Sequence, residues 1–200
     1  TPAAKPQQDI ADAVPVLIAA LNHRDANQRE MATKLADIIG LCSNEKPLAL
    51  IVALHDRWLS EPEANVRVEM GSAMSRFASP IVNEAVLKGL RSERLDILGD
   101  AAAFMDGESI TLNDTTRPDF ERLVELTRHE NDRVRRSATR SLAYKAPQLL
   151  GPEFERLCTD KVKDIREACT LALRSNPDPK HADILFKLAD DAEQSIRESA

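Results

Sequence analysis

Aromatic residues, glycine and cysteine are scarce in this chain of 200 residues, which contains five Phe, one Tyr, one Trp, six Gly and three Cys. We find no glycine-rich phosphate-binding loop, no Gly-x-Ser-x-Gly elbow and no convincing pair of catalytic carboxylates. No apolar run approaches the ~20 residues that span a bilayer. The start of the chain also lacks the basic and apolar regions of a signal peptide. These absences predict a non-enzymatic protein whose core is built from Leu, Ile, Val and Ala.

The cysteines and histidines provide no framework for a disulfide or a metal. Cys42, Cys158 and Cys169 form an odd, widely spaced set without a Cys-x-x-Cys pair, which is typical of reduced, buried thiols in a cytoplasmic protein. The four histidines lie far apart, and none has a second ligand at helical spacing. The sequence therefore predicts no metal site, no cofactor and a cytoplasmic location.

One short motif recurs along the chain. Its clearest copies are residues 134–138, 165–169 and 196–200, which start 31 residues apart, and weaker copies lie at 28–32 and 66–70. Each clear copy places a branched apolar residue before an arginine and a small residue three positions after that arginine. This pattern suits a helix that packs closely against a neighbouring unit while its arginine reaches across the turn. A fixed period of this kind predicts stacked repeats.

Each repeat is predicted to contain two helices. The first helix shows apolar residues at steps of three and four, and the second helix begins at the motif. Prolines between these segments stop the helices, because proline lacks an amide hydrogen and disfavours a helical residue before it. We expect first helices at 10–21, 47–59, 81–90, 120–128, 152–159 and 181–189. The approximate repeats are 10–41, 45–78, 81–105, 117–146, 151–175 and 180–200, the last being incomplete.

The third repeat departs from the pattern. In residues 95–99 the apolar and small positions survive, but Asp96 stands where the arginine is expected, so a ladder of arginines would be broken there or carry the opposite charge. The repeat is followed by residues 106–116, which are mostly small and polar. This segment is expected to be an inter-repeat surface loop, with recognition of a partner as its second interpretation.

The motif resembles that of the HEAT repeat family, in its bacterial HEAT-like form. The match is best at residues 131–138, where an Asp-x-Val-Arg turn leads to Ala, and 163–168 is similar. The resemblance covers nearly the whole chain. It implies a right-handed α-solenoid, a superhelix of about six two-helix repeats, with second helices on the concave face, that holds other macromolecules. Because the chain begins without Met and its last helix ends abruptly, we expect a fragment of a longer chain.

Charge is distributed unevenly along the chain, whose net charge is −6. Lys and Arg number 13 against 20 Asp and Glu over residues 1–127, 11 against 7 over 128–174, and 3 against 6 thereafter. Within the basic region Arg133, Arg136 and Arg140 are three and four residues apart, so they share one side of a helix. Lys145, Lys163 and Arg174 extend this candidate partner-binding patch.

Two explanations of the basic region remain open. In the first, arginines of the motif pair with acidic residues such as Asp132, Asp164 or Glu193 and bridge successive repeats as a structural ladder: Arg29, Arg67, Arg135, Arg166 and Arg197. In the second, the exposed cations face an anionic partner. An acidic protein segment suits that surface better than nucleic acid, because the chain is acidic overall and its basic region lacks interleaved aromatics.

The sequence therefore predicts a scaffold that binds a protein through its concave face. The alternative is an enzyme subunit like those of the bilin lyases, which also resemble HEAT-like solenoids, although no chromophore-binding signature is present. Deoxyhypusine hydroxylases, which have a similar architecture, hold iron with several His-Glu pairs. Here His129-Glu130 is a single pair, and we expect it to lie in a turn between helices.

Overall fold

The structure, a computed structural model, describes residues 4–42, 46–77, 80–107, 110 and 112–200, and this part of the chain is all-helical. The helices are α1 (Ala4–Leu21), α2 (Ala26–Cys42), α3 (Leu48–Trp58), α4 (Ala64–Ser75), α5 (Pro80–Gly89), α6 (Leu95–Phe104), α7 (Arg117–Leu126), α8 (Asp132–Lys145), α9 (Phe154–Leu157), α10 (Lys163–Ser175), α11 (Ala182–Ala189) and α12 (Gln194–Arg197). Taken two at a time in chain order, they form six repeats. The predicted all-α repeat fold is confirmed.

The second helices begin at the recurring motif because its apolar residues fall on one side of a helix. In α8 the residues Val134, Ala138 and Leu142 are fully buried, and α10 buries the matching positions. Such apolar positions, four residues apart, form a stripe that faces the core. The small residue in the middle lets a neighbouring helix approach closely, which explains why the motif needs it.

The first helix of the fifth repeat differs from the prediction. Instead of one helix over 152–159, a 3₁₀ segment (Pro147–Glu153) precedes the four-residue α9. Pro147 and Pro152 cannot donate an amide hydrogen, so a regular α-helix cannot form through them. A second short 3₁₀ segment (Pro179–His181) likewise precedes α11.

The described residues divide into two compact bodies, and the division falls inside the third repeat. The N-terminal body is Thr1–Lys88, and the C-terminal body is Gly89–Ala200. In the N-terminal body α2 packs against α1 and α4, around a core that includes Leu50, Leu54 and Trp58. In the C-terminal body α8 is central and packs against α6, α7 and α10.

The thiols follow the prediction only in part. Cys158 and Cys169 are buried, and burial raises the pKa of both thiols. Cys42 is exposed at the end of α2, so the prediction of a buried thiol is wrong there. The C-terminal pair lies inside the packed repeats, whereas Cys42 lies on the solvent side of its helix.

The structure also corrects the register of the third repeat. When the second helices are compared from their first residues, buried Ile97 takes the place of Val134, and Leu98, rather than Asp96, takes the place of the arginine. The predicted register was wrong because Leu95 is 44% exposed and is not the core residue of the motif. Asp96 instead pairs with Arg94 at the start of α6, at 2.7 Å.

Candidate partner-binding surface on helix α8

Arginines of the motif tie five of the six second helices to the turns before them, the exception being α6. Arg29 donates from Nη1 to the carbonyl oxygens of His23 and Arg24, at 3.0 and 2.9 Å. Arg135 makes the same pair of bonds, to His129 at 2.9 Å and Glu130 at 3.1 Å. The planar guanidinium holds both carbonyls and still has donors left on its other edge. The remaining arginines that donate to carbonyls of their own turns are Arg67, Arg166 and Arg197.

Three of these arginines also bridge to the following repeat. Each donates two bonds to one carboxylate, at 2.7 Å for Arg29 and Glu61, 3.0 and 3.2 Å for Arg135 and Asp160, and 2.7 and 3.0 Å for Arg166 and Asp191. The acceptor is always the residue six positions before the next repeat's arginine. The sequence prediction had named other acids, of which only Asp132 contacts its arginine, at 2.8 Å.

The bridging carboxylates are held ionised by their partners. Burial alone would raise the pKa of Glu61, but bonds from Arg29, the Glu63 amide and Arg57 outweigh it, so the pKa lies below its ordinary value. Hydrogen bonding from Arg166 lowers the pKa of Asp191. These arginines are therefore occupied in joining repeats, and their buried charges are not available to a partner.

The ladder stops between the third and fourth repeats. Leu98 offers no guanidinium, and the acid position of the next repeat is taken by His129. Instead, Arg133 on α8 pairs with buried Asp100 on α6, and the Ser141 hydroxyl donates to the carbonyl of Ala102 at 2.6 Å. Arg133, predicted from the sequence to bind a partner, is therefore engaged in joining α8 to α6.

The exposed side of α8 is formed by Arg136, Arg140 and Tyr144, at successive four-residue steps, and we call it the α8 face. Arg136 contacts Asp164 of the next repeat at 3.1 Å, and both side chains are about half exposed. The Arg140 guanidinium lies 5.8 Å from the centre of the Tyr144 ring, which is a cation–π distance. Tyr144 is 56% exposed. The α8 face thus presents cations and an aromatic ring to solvent.

Residues 120–200, which include α8, match the family model of HEAT repeats. The match covers 81 of the 200 residues. No curated protein matches the chain in sequence.

Solved structures share the fold of the whole chain. A designed armadillo repeat protein in complex with peptide (KR)4 is 16% identical, with a TM-score of 0.62 over 93% of this chain and 95% of its own. An engineered protein is 15% identical, with a TM-score of 0.58 over 93% and 92%. The complex of CpcE and CpcF of phycocyanin lyase from Nostoc sp. PCC7120 is 15% identical, with a TM-score of 0.58 over 90% and 71%. At these identities the likeness shows a HEAT and armadillo-like solenoid fold.

The other predicted binding residues do not form one cluster on the HEAT repeats. Lys145 is half-buried near Asp106, whose pKa is raised by burial, against the opposing charges of Arg140 and Lys145. Lys163 contacts Glu167 at 3.7 Å on α10. Arg174 is exposed at the far end of that helix, 11 residues from Lys163 or about 16 Å along its axis.

Sequence reasoning missed the exposure of Tyr144. It did not single this residue out, because an aromatic side chain in the second helix of a repeat is expected to be buried. The sequence contained a signal for this exposure. Arg140 precedes Tyr144 by four residues, and helix positions four apart lie side by side, so Tyr144 shares its side of the helix with a charged residue. The single tyrosine of the chain therefore belongs to the surface of the repeats and not to their core.

The connection before α7 was the second candidate for recognition. Within the predicted loop 106–116, residues 108, 109 and 111 lie outside the described residues. Ile110 is buried, and Asn113 accepts bonds from the amides of Thr115 and Thr116 at 2.9 and 3.1 Å. The described part of this connection is thus anchored to the C-terminal body before the next HEAT repeat begins.

The described residues contain no group of three or more His, Cys, Asp or Glu side chains that could hold a metal. His129 lies in the turn between α7 and α8, as predicted, and its Nδ1 accepts the Asn131 amide at 3.0 Å. Among the same residues, no helix is long and apolar enough to span a bilayer.

Proposed function

We propose that this chain is a protein-binding repeat scaffold and that the α8 face binds an acidic segment of its partner. The observation that carries the proposal is the exposed pair of Arg140 and Tyr144, beside Arg136. Arginine and tyrosine are the side chains that most often dominate binding energy at protein interfaces, and a guanidinium already stacked on a ring loses little freedom on binding. The pair lies on a second helix, the side of the repeats that is expected to be concave.

Charge favours an acidic partner. Arg140 is exposed and lies over the Tyr144 ring, and the nearby acid on which its charge acts is Asp106, whose pKa is raised by burial. The surrounding region, residues 128–174, has 11 basic and 7 acidic side chains. A carboxylate-rich segment would meet an excess of positive charge there, whereas the rest of the chain would repel it.

The buried polar groups of α8 are engaged in the fold, which supports binding over catalysis. Arg135 is bonded to Asp160, the Thr139 hydroxyl donates to the Arg135 carbonyl at 2.9 Å, and Ser141 donates to Ala102. The Arg135 and Ser141 bonds join α8 to other parts of the C-terminal body, and the Thr139 bond lies within α8. The exposed side chains remain for recognition, as expected of a solenoid.

A structural neighbour supports the mode of binding. The designed armadillo repeat protein is seen in complex with peptide (KR)4, so a solenoid of this fold accommodates a charged peptide. In the present chain the cations lie on the α8 face. The complementary ligand is therefore a peptide of opposite sign, rich in Asp or Glu.

The proposal is tested by fluorescence anisotropy with a fluorescein-labelled octaglutamate peptide. We expect binding by the wild type that weakens with added salt and at least tenfold on Arg140→Gln/Tyr144→Ala, or about 1.4 kcal/mol. Arg122→Gln is the matched control, because Arg122 is an exposed arginine on α7 and is not part of the α8 face. This variant should leave the affinity unchanged.

Circular dichroism must show that both variants remain helical. Equal affinity of wild type and double variant would overturn the α8 face as the binding surface. Stronger binding of labelled oligothymidylate than of octaglutamate would overturn the choice of a protein partner in favour of nucleic acid.

A further inference from the structure

One acidic side chain of the C-terminal body lies beside the cations at the end of α8. Asp106 follows the last residue of α6 by two positions, and its amide donates to the Ala103 carbonyl at 3.4 Å. The same carbonyl accepts the Ser141 hydroxyl of α8, also at 3.4 Å. Asp106 is therefore one shared carbonyl away from the side of α8 that packs against α6.

Helices α6 and α8 run side by side in the same direction, which fixes where Asp106 lies along α8. Near the start of the two helices Asp100 pairs with Arg133, and further along the Ser141 hydroxyl donates to the Ala102 carbonyl. Asp106 comes four residues after Ala102, and its amide bond continues the last turn of α6. Asp106 is therefore level with the last turn of α8.

Two cations of α8 flank the side that faces α6. Ser141 marks this side. At 100° per residue, Lys145 lies about 40° from Ser141 around the helix axis, and Arg140 lies about 100° from it in the other direction. Arg140 is exposed, and Lys145 is half-buried. The end of α6, with Asp106, is thus bordered by both cations.

The charges of Arg140 and Lys145 reach the Asp106 carboxyl. Burial raises the pKa of this carboxyl, whereas the two cations lower it, so both lie close enough to act on it. Asp106 is nevertheless exposed to solvent, where a ligand of the α8 face meets it. An ionised acid at this place reduces the positive potential around Arg140.

We propose that Asp106 is a specificity-determining residue of the α8 face, an internal carboxylate that competes with the partner's carboxylates for Arg140 and Lys145. The inference rests on the proposed function of that face. Built-in repulsion improves specificity because it weakens the wrong ligands most. An isolated acid gains little beside Asp106, whereas a run of acids also reaches Arg136, about 6 Å along α8 from Arg140. The partner segment is therefore one with consecutive Asp or Glu residues.

Fluorescence anisotropy with labelled tetraglutamate and octaglutamate tests the competition. We expect Asp106→Asn to bind tetraglutamate three- to fivefold more tightly than the wild type, roughly the effect of one solvent-exposed charge interaction. The gain should be smaller for octaglutamate, because the longer peptide has further contacts at Arg136. Asp183→Asn, on exposed α11, changes the net charge equally and is the matched control, which should leave both affinities unchanged.

A double-mutant comparison shows whether the gain depends on Arg140. In an Arg140→Gln background, Asp106→Asn should improve tetraglutamate binding by less than about twofold, since the main cation for which the two acids compete is gone. Circular dichroism checks that each variant remains helical.

A carbon-13 NMR titration of the Asp106 carboxyl provides a second measurement that needs no ligand. Because Arg140 lowers the pKa of Asp106, Arg140→Gln should raise it. Arg122→Gln, on α7, is the control and should leave this pKa unchanged.

The outcomes separate this inference from the proposed function. If octaglutamate binds the α8 face but Asp106→Asn gains nothing over Asp183→Asn, the competition by Asp106 is wrong and the proposed function stands. The same conclusion follows if Arg140→Gln leaves the pKa of Asp106 unchanged. If neither the wild type nor Asp106→Asn binds octaglutamate, the proposed function fails and the competition fails with it.

Discussion

Helices α2 and α8 share an arginine, an alanine and a threonine on their buried sides and differ in their exposed side chains. The first turn of each carries an arginine that donates to two turn carbonyls and to a carboxylate of the next repeat. Both follow it with a threonine whose hydroxyl donates to the arginine carbonyl, at 2.8 Å for Thr33 and 2.9 Å for Thr139. Their exposed sides differ in chemistry, since α2 exposes Met31, Leu35, Ile38 and Leu41, whereas α8 presents the α8 face.

The difference shows which positions the fold constrains. Stacking fixes the buried arginine, the threonine and the small residues, because each has a neighbour at a set distance. The exposed positions are less constrained, since the one contact of Arg136 with the next repeat, to Asp164, is itself about half exposed. Their composition therefore reflects what binds there, and the two helices are expected to bind partners of different chemistry.

The largest predicted effect comes from removing a buried arginine of the ladder. It tests whether Arg29 in α2 and Arg135 in α8 contribute equally to the free energy of unfolding. Arg29→Ala removes a two-bond partner from the Glu61 carboxylate, which is 0% exposed and also accepts from Arg57, and should lower the free energy of unfolding by about 3 kcal/mol. Arg135→Ala should have a similar effect through Asp160. Urea denaturation measures both.

Arg76→Ala is the matched control for the ladder arginines. Its bridge to Asp37 is solvent-exposed, so the loss should be under about 1 kcal/mol. If Arg29→Ala, Arg135→Ala and Arg76→Ala lower the free energy of unfolding equally, burial of the ladder arginines is not what stabilises the repeats. The arginines shared by α2 and α8 would then contribute no more than an exposed ion pair.

Alanine substitutions at two helical glycines, Gly40 and Gly99, should have smaller effects on stability, and the two effects should be opposite in sign. A Cβ at Gly40 of α2 would lie 2.7 Å from the Arg76 Cβ, which is fixed by its backbone. Gly40→Ala should therefore destabilise the chain by about 1–2 kcal/mol despite the better helix propensity of alanine. At Gly99 of α6 the nearest atoms belong to the flexible Arg133 side chain, at 3.6 Å.

Gly99→Ala should consequently stabilise the chain by about 0.5–1 kcal/mol. Thermal and urea unfolding of the two variants check the pair. Destabilisation by both alanines would mean that α8 packs on α6 as tightly as α4 packs on α2.

The smallest predicted effect is the dependence of stability on pH that arises from His55 in the N-terminal body. Burial lowers the pKa of His55, so the folded state binds fewer protons there than the unfolded state. This contribution to stability is present above the ordinary pKa of roughly 6.5 and is lost as the pH falls through the lowered value. Lys88 also lowers this pKa, whereas Asp56 and Glu84 oppose the shift.

His55→Leu should flatten the dependence of the free energy of unfolding on pH below neutrality, as measured by urea denaturation at several pH values. His129→Asn, which keeps an acceptor for the Asn131 amide, is the control and should behave as the wild type. An unchanged pH profile in His55→Leu would contradict the role given to burial.

The repeat period and the arginine positions could be predicted from the sequence because they depend on residues close in the chain. The bridging acids could not, since Glu61 and Asp160 lie 32 and 25 residues from their arginines and several other acids are nearer. The exposure of individual side chains was harder to predict. Tyr144 and Cys42 look like core residues until the neighbouring helices show which side of each helix is covered.

The most direct test of the account measures folding and binding on one sample. Arg136→Gln/Arg140→Gln should change the free energy of unfolding by less than about 0.5 kcal/mol, because both side chains are exposed. The same variant should bind octaglutamate at least tenfold more weakly than the wild type. Unchanged affinity, or a loss of stability as large as that of Arg135→Ala, would contradict the claim that the buried side of α8 makes the fold and its exposed side binds the partner.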